Sequence, residues 1–222
     1  MTLPIRVLLV DDQELIRVGF RLVLEAEPDL DVVAEARDGD EAIALSARLQ
    51  PDVVLMDVRM PRMDGVAATA RIVAAQPATR VLVLTTFDLD EYALGALRAG
   101  ASGFLLKDAQ RHELVGAIRA AHRGDAVLAP SVTRRLLDTM LQSPPPPADG
   151  PDPAAVLTER EREVFAAIGR GLTNTEIAAE LFLGESTVKT HVGRVLAKLG
   201  ARDRVQAVIM AHRSGIVPPG AE

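Results

Sequence analysis

From Ser143 to Pro153 the chain reads Ser-Pro-Pro-Pro-Pro-Ala-Asp-Gly-Pro-Asp-Pro, and no compact core can run through such a stretch. Proline lacks a backbone N–H and has a fixed φ, so this segment is expected to be a semi-extended spacer. The sequence on either side must then fold as separate bodies, which suits 222 residues. The expected division is a first domain over 1–124, a linker with a short helix over 125–153, and a second domain over 154–218. The short helix is placed from Ser131, a candidate N-cap, to Gln142, with Val132, Leu136, Leu137 and Met140 at helical spacing.

In the first domain, short runs of β-branched residues and leucine alternate with longer stretches of helical period, the pattern of a parallel α/β sheet. Strands are expected at 5–10, 31–36, 52–56, 80–84 and 103–106, with helices near 13–25, 39–49, 65–75, 90–99 and 110–123. The strands around Leu55 and Val83 are continuously apolar rather than alternating, so helices should cover both faces. The expected fold is a doubly wound, flavodoxin-like five-stranded parallel sheet of order 2-1-3-4-5.

After the spacer only helical period is visible. Thr158-Glu159-Arg160-Glu161 has the form of a capping box, Thr173-Asn174-Thr175-Glu176 resembles a second, and Glu185-Ser186-Thr187 opens a third helix. A fourth helix is expected near 203–213. A helix, a tight turn at Leu183-Gly184 and a helix of small polar and basic residues are the elements of a helix-turn-helix, whose second helix enters the major groove of DNA.

Charge divides along the same line. The net charge of −6 is carried in front: residues 1–124 hold 14 basic and 19 acidic side chains, residues 154–222 hold 9 and 8. Lys189, Arg194, Lys198, Arg202 and Arg204 face only Glu185 and Asp203. The chain has no cysteine, which removes disulfides, thiolate metal sites and thiol catalysis. Its apolar stretches are too short to span a membrane, and Ile5–Val10 runs straight into two aspartates, unlike a secretory signal. A cytoplasmic protein without a membrane segment is expected.

The chemistry is expected at the strand ends, because ligands of open parallel sheets bind outside the carboxyl ends of the strands. Asp11 and Asp12 close the first strand and Asp57 the third, and the 2-1-3-4-5 order brings all three together. Clustered carboxylates repel one another unless a cation sits among them, and hard oxygen donors suit Mg²⁺. Thr85 after strand four adds a hydroxyl, and Lys107 after strand five an ammonium. Only three of the 25 basic residues are lysine, so a compact point charge at 107 is notable in a chain that otherwise uses arginine. Acids, a metal, a donor and a cation together suit phosphoryl transfer onto a carboxylate. Each residue alone has an ordinary reading: Asp-Asp as a helix N-cap, Thr85 as a strand residue, Phe104 as core.

Val10-Asp11-Asp12, the run Met56-Asp57-Val58-Arg59-Met60-Pro61-Arg62-Met63-Asp64-Gly65, Leu84-Thr85-Thr86 and Gly100–Lys107 resemble the receiver domains of two-component response regulators. The resemblance implies that Asp57 accepts a phosphoryl group from a sensor histidine kinase. It implies Mg²⁺ held by Asp12, Asp57 and the Arg59 carbonyl, with Asp11 acting through water. Thr85 and Lys107 would bind the phosphoryl group, and Phe104 would be the aromatic that turns inward as Thr85 moves.

The second domain resembles the LuxR-type DNA-binding domain of the NarL/FixJ subfamily, through Leu157–Val164, Gly171–Ala178 and Ser186–Val192. That resemblance implies phosphate contacts from Asn174 and Thr187, and base or backbone contacts from Lys189. Thr175, Ser186, Thr190, Arg194 and Lys198 complete the expected DNA-contacting set. Val188, Val192, Val195 and Leu199 should be core, and His191 an interior or backbone-contact residue. The implied protein is a non-enzymatic transcription regulator that binds double-stranded promoter DNA, as a homodimer when phosphorylated or DNA-bound. A phosphohydrolase is disfavoured because Arg59 stands where a second acid would be needed, two positions after Asp57. The alternative, a phosphorylation-independent ligand-sensing transcription factor, has only six aromatics in 222 residues from which to line an apolar pocket.

Overall fold

A computed structural model describes residues 3–85, 91–124 and 153–217, and the chain divides into two compact units. The expected helix over 131–142, nearly all of the spacer and Thr86 lie outside the described residues.

The N-terminal unit runs β1 (Ile5–Val10), α1 (Glu14–Glu25), β2 (Leu30–Ala36), α2 (Gly39–Leu49), β3 (Val53–Asp57), α3 (Gly65–Ala75), β4 (Arg80–Thr85), α4 (Glu91–Arg98), β5 (Gly103–Leu106) and α5 (Arg111–His122). The strands form one parallel sheet of order β2-β1-β3-β4-β5, as expected. Two strands extend one residue past their expected ends. Asp57 pairs with Leu84 and Thr85 with Leu106, so both functional candidates stand inside the ladder rather than after it.

Period-2 alternation in strands sends successive side chains to opposite faces. Val7, Leu9, Val53, Leu55, Leu82 and Leu84 pack with Leu24 of α1 and Leu114, Val115 and Ile118 of α5. Their neighbours Leu8, Val54, Met56 and Val83 are equally buried, on the side where α2, α3 and α4 lie. A strand buried on both faces needs no polar positions, which explains the continuous apolar runs.

The β3–α3 connection is tightly constrained. Asp64 caps α3 by accepting from the Ala67 N–H at 2.8 Å, and the Gly65 N–H donates to the Val58 carbonyl at 2.9 Å. A Cβ on Gly65 would stand 2.0 Å from the Asp57 carbonyl oxygen, so only glycine lets α3 begin against the end of β3.

The C-terminal unit opens with a 3-10 turn (Pro153–Val156), followed by α6 (Glu159–Gly169), α7 (Asn174–Glu180), α8 (Glu185–Leu199) and α9 (Arg204–Arg213). Both expected capping boxes form, Thr158 with Glu161 and Thr173 with Glu176. Val164, Phe165, Ile168, Ile177, Val188, Val195 and Val208 make the core, and Val192 and Leu199 pack against it half-buried. The turn before α8 starts earlier than expected, at Leu181-Phe182 rather than Leu183-Gly184. The Leu183 N–H reaches back to the Ala178 carbonyl at 2.9 Å, closing α7 with a left-handed residue, and here that residue is Phe182 at φ 53°.

Lys198, expected among the DNA contacts, has its ammonium 2.6 Å from Glu161 Oε2, tying α8 to the start of α6. The hydrogen bond from Lys198, with help from the Thr158 N–H, holds the Glu161 carboxyl down at about 2. A depressed carboxyl pKa contributes stability above the unfolded value of 4.5, lost as pH falls from there toward about 2.

Gly65→Ala should destabilise the N-terminal unit by about 1–3 kcal/mol through overpacking. Gly19→Ala, mid-helix in α1 with nothing within 4 Å of the new methyl, should stabilise it by roughly 0.5–1 kcal/mol. Amide exchange of the β3 and α1 residues reads both. In the C-terminal unit, Lys198→Met should raise the Glu161 titration toward 4.5 in a carboxyl NMR titration, and should move acid unfolding to higher pH.

Candidate functional site

The register of the sheet brings the acids to one edge. Val10 is level with Met56 and Asp57 with Leu84, so Asp11 and Asp57 leave adjacent strands side by side. Beyond them Thr85 ends β4 and Lys107 follows β5, its N–H bonded to the Thr85 carbonyl at 2.8 Å. Asp11, Asp57 and Thr85 are buried at 1%, 4% and 4% exposure, whereas Asp12 is exposed. Lys107 reaches across the edge with Nζ 2.6 Å from Asp11 Oδ2 and 2.9 Å from Asp57 Oδ2.

Asp57, Thr85, Lys107 and Arg59 line a cleft of about 210 Å³ together with Gln13 and Val58. Gln13 and Val58 were not expected there. Gln13 precedes α1 and its N–H donates to Asp11 Oδ1 at 2.9 Å; it borders a cleft shared with Asp57 because β1 and β3 are neighbours, which local pattern does not reveal. The Arg59 N–H lies 3.4 Å from Asp57 Oδ1. Phe104 does not line the cleft: it is buried on β5 at 7% exposure.

Burial pushes the Asp57 carboxyl above its ordinary value and repulsion from Asp11 adds to this, against the pull of Lys107. Burial works to lower Lys107 as well, but its bonds to Asp11 and Asp57 outweigh that and raise it. One ammonium beside three carboxylates leaves the ionised site about two charges negative. Asp11, Asp12 and Asp57 each offer an oxygen within 4.8 Å of the others. An all-oxygen donor set with this charge, partly open to solvent at Asp12, fits a hard divalent cation such as Mg²⁺.

The loop carrying Arg59 is clamped at its far end. Asp38, 3% exposed, caps α2 through the Glu41 N–H at 2.9 Å and also pairs with the Arg62 guanidinium. Arg62 stands at φ 68°, a conformation that disfavours a side chain, and the ion pair with a buried carboxylate holds it there. The Gly39 N–H bonds the Met63 carbonyl, closing the loop onto α2.

In the C-terminal unit, α7 and α8 form the expected helix-turn-helix. Val188 and Val195 point into the core, while Ser186, Thr187, Lys189, Thr190 and Arg194 are exposed along the opposite side of α8. Gly193 is exposed there with nothing within 4 Å, so this face has a gap where a side chain could stand. Lys189 lies 3.5 Å from Glu185, and the Thr190 hydroxyl donates to the Ser186 carbonyl. Thr175 is exposed, and Asn174 is half-exposed with Oδ1 accepting from Arg204 at 2.9 Å. His191 is half-buried with Nδ1 enclosed and without a hydrogen-bond partner, an interior residue. No helix among the described residues is long and apolar enough to cross a membrane.

Residues 7–119 match the response regulator receiver domain, and residues 155–211 match the bacterial regulatory proteins of the luxR family. The chain is 47% identical over 213 residues to the uncharacterized transcriptional regulatory protein YxjL of Bacillus subtilis, covering 96% of this chain and 97% of that one. It is 42% identical to the transcriptional regulatory protein LiaR of the same organism, over 96% and 99% of the two chains. Among solved structures it is similar to the response regulator ChrA of a heme-sensing two-component system, at 37% identity and a TM-score of 0.52, covering 96% of this chain and 99% of that one. A receiver sheet edged with carboxylates and a LuxR-type helix-turn-helix on one chain therefore have one reading: the protein belongs to the family of two-component, DNA-binding transcriptional response regulators.

Proposed function

We propose that Asp57 is the phosphoacceptor and that its phosphorylation by a sensor histidine kinase controls DNA binding by α7 and α8. The observation that carries this is the placement of the Lys107 ammonium 2.9 Å from an Asp57 carboxylate oxygen at the wall of an open cleft. An Asp57 oxygen attacks the phosphorus of a phosphohistidine; the P–N bond breaks as the O–P bond forms, and the imidazole leaves. Mg²⁺ bound by Asp12, Asp57 and the Arg59 carbonyl, with Asp11 behind them, would neutralise phosphoryl oxygens. Lys107 can turn from Asp57 to the incoming phosphoryl group while keeping Asp11, 2.6 Å away. Thr85, at the cleft wall, supplies a hydroxyl donor to the same group.

The added charge biases a two-state receiver. Thr85 and Phe104 stand on neighbouring strands β4 and β5, so a shift of Thr85 toward the phosphoryl group opens space that Phe104 can fill. The repacked face then pairs two copies on a two-fold DNA site, with residues 125–153 as the spacer between the domains. Thr187, Thr175 and Asn174 are assigned to backbone phosphates, and Ser186, Lys189, Thr190 and Arg194 to the groove-facing side of α8. Lys198 is assigned to the fold through Glu161 instead. A cytoplasmic location fits a kinase partner and promoter DNA.

Asp57→Asn should abolish phosphoprotein formation from acetyl phosphate and Mg²⁺, seen as loss of the shifted band on a phosphate-affinity gel, while its circular dichroism stays that of the wild type. Undiminished labelling would overturn the assignment. With the wild-type protein, the phosphodonor should tighten retention of its promoter fragments by about tenfold or more, a coupling of roughly 1–3 kcal/mol. A ligand-sensing regulator would instead show no change with phosphodonor.

A further inference from the structure

Asn174, at the start of α7, has one side of its amide already taken. Arg204 Nη1 donates to Asn174 Oδ1 at 2.9 Å, and Arg204 Nη2 donates to the Leu172 carbonyl. A guanidinium has only donors, so the amide atom facing it must be the oxygen. The Nδ2 group, with two N–H donors and no acceptor, is thereby committed to the other branch of a half-exposed side chain. Donors alone are what a phosphate oxygen recognises; a freely flipping amide would present its oxygen, which repels phosphate, for part of the time.

The anchor behind Arg204 is stiff. Arg204 opens α9, whose N-cap Asp203 is fully buried and accepts from the Gln206 N–H at 3.0 Å. Gln206 Oε1 accepts from the Arg202 N–H at 3.0 Å, and Arg202 Nε lies 3.4 Å from Asp203 Oδ2. A two-pronged guanidinium fixed to such a base ties the start of α9 to the start of α7.

We propose that Arg204 is a positioning residue for DNA binding: it holds the Asn174 amide with its N–H groups turned outward to a backbone phosphate and does not itself touch DNA. This rests on the reading that α7 and α8 bind DNA. A lysine could supply the charge but not the two-pronged geometry.

The test measures affinity of the full-length protein for a fluorescently labelled, mixed-sequence duplex, since phosphate contacts are independent of sequence. Asn174→Ala should weaken binding about fivefold or more, the loss of a hydrogen bond to a charged group. Arg204→Met should weaken it to a similar degree, Arg204→Lys should not restore it, and the Arg204→Met/Asn174→Ala double variant should be no weaker than the worse single. The salt dependence should keep its slope, whereas loss of a direct phosphate ion pair lowers it by about 0.9. Additive losses, a lower slope, or wild-type affinity in Arg204→Lys each overturn the proposal. Wild-type affinity in Asn174→Ala, with Lys189→Ala weakened, overturns it while leaving DNA binding by α8 intact. If the wild type binds no duplex, with or without phosphodonor, both readings fail. Should Arg204→Met unfold by circular dichroism, the same cycle built on Arg204→Lys decides the matter.

Discussion

The N-terminal unit depends on one contact, the Lys107 ammonium set between Asp11 and Asp57. Two carboxylates buried to 1% and 4% exposure at neighbouring strand ends repel each other and need a counter-charge. Lys107 supplies it from the end of β5, reaching past β4 to Asp57 and past β4 and β3 to Asp11. The compensation is incomplete: one positive charge serves three acids, so the ionised cleft keeps a net negative charge that suits a divalent cation. The same arrangement makes the site responsive. A ligand that takes over Lys107 or Thr85 changes what the ends of β4 and β5 touch, while Phe104 stands deeper in β5, level with Val83.

The C-terminal unit divides its cations between two uses. Lys198 and Arg204 are spent inside the fold, the first on Glu161 and the second on Asn174 and the Leu172 carbonyl. Lys189 and Arg194 remain exposed on α8 with short polar neighbours. The first pair holds helices together, and the second stays exposed at the surface of α8. A basic run in sequence therefore overstates the charge available to DNA.

Most of the fold could be read from pattern alone. Continuous apolar runs marked doubly covered strands, and capping boxes at Thr158 and Thr173 marked helix starts. The strand ends differ from expectation through long-range pairing, and the turn before α8 through local backbone conformation. Asp57 and Thr85 belong to their strands because Leu84 and Leu106 hydrogen-bond beside them, and the turn before α8 moved because Phe182 accepts a left-handed conformation usually left to glycine. Gly65 was legible as part of a motif, yet its reason, the 2.0 Å approach to the Asp57 carbonyl, exists only between two elements.

The sequence by itself determined which residue types end each strand and begin each helix, because periodicity and capping are local properties of the chain. That was enough to place Asp11, Asp12, Asp57, Thr85 and Lys107 at strand ends; periodicity does not fix strand order, and their joining into one site followed from the order 2-1-3-4-5 and the resemblance to receiver domains. Only the tertiary structure decided how those charges are shared: that Lys107 bridges two acids, that Gln13 lines the cleft, that Asp38 clamps Arg62, and that Lys198 faces Glu161. The physical reason is that Coulomb energy and hydrogen bonding depend on distance and burial, which residues far apart in the chain acquire only when the sheet and the helices are packed.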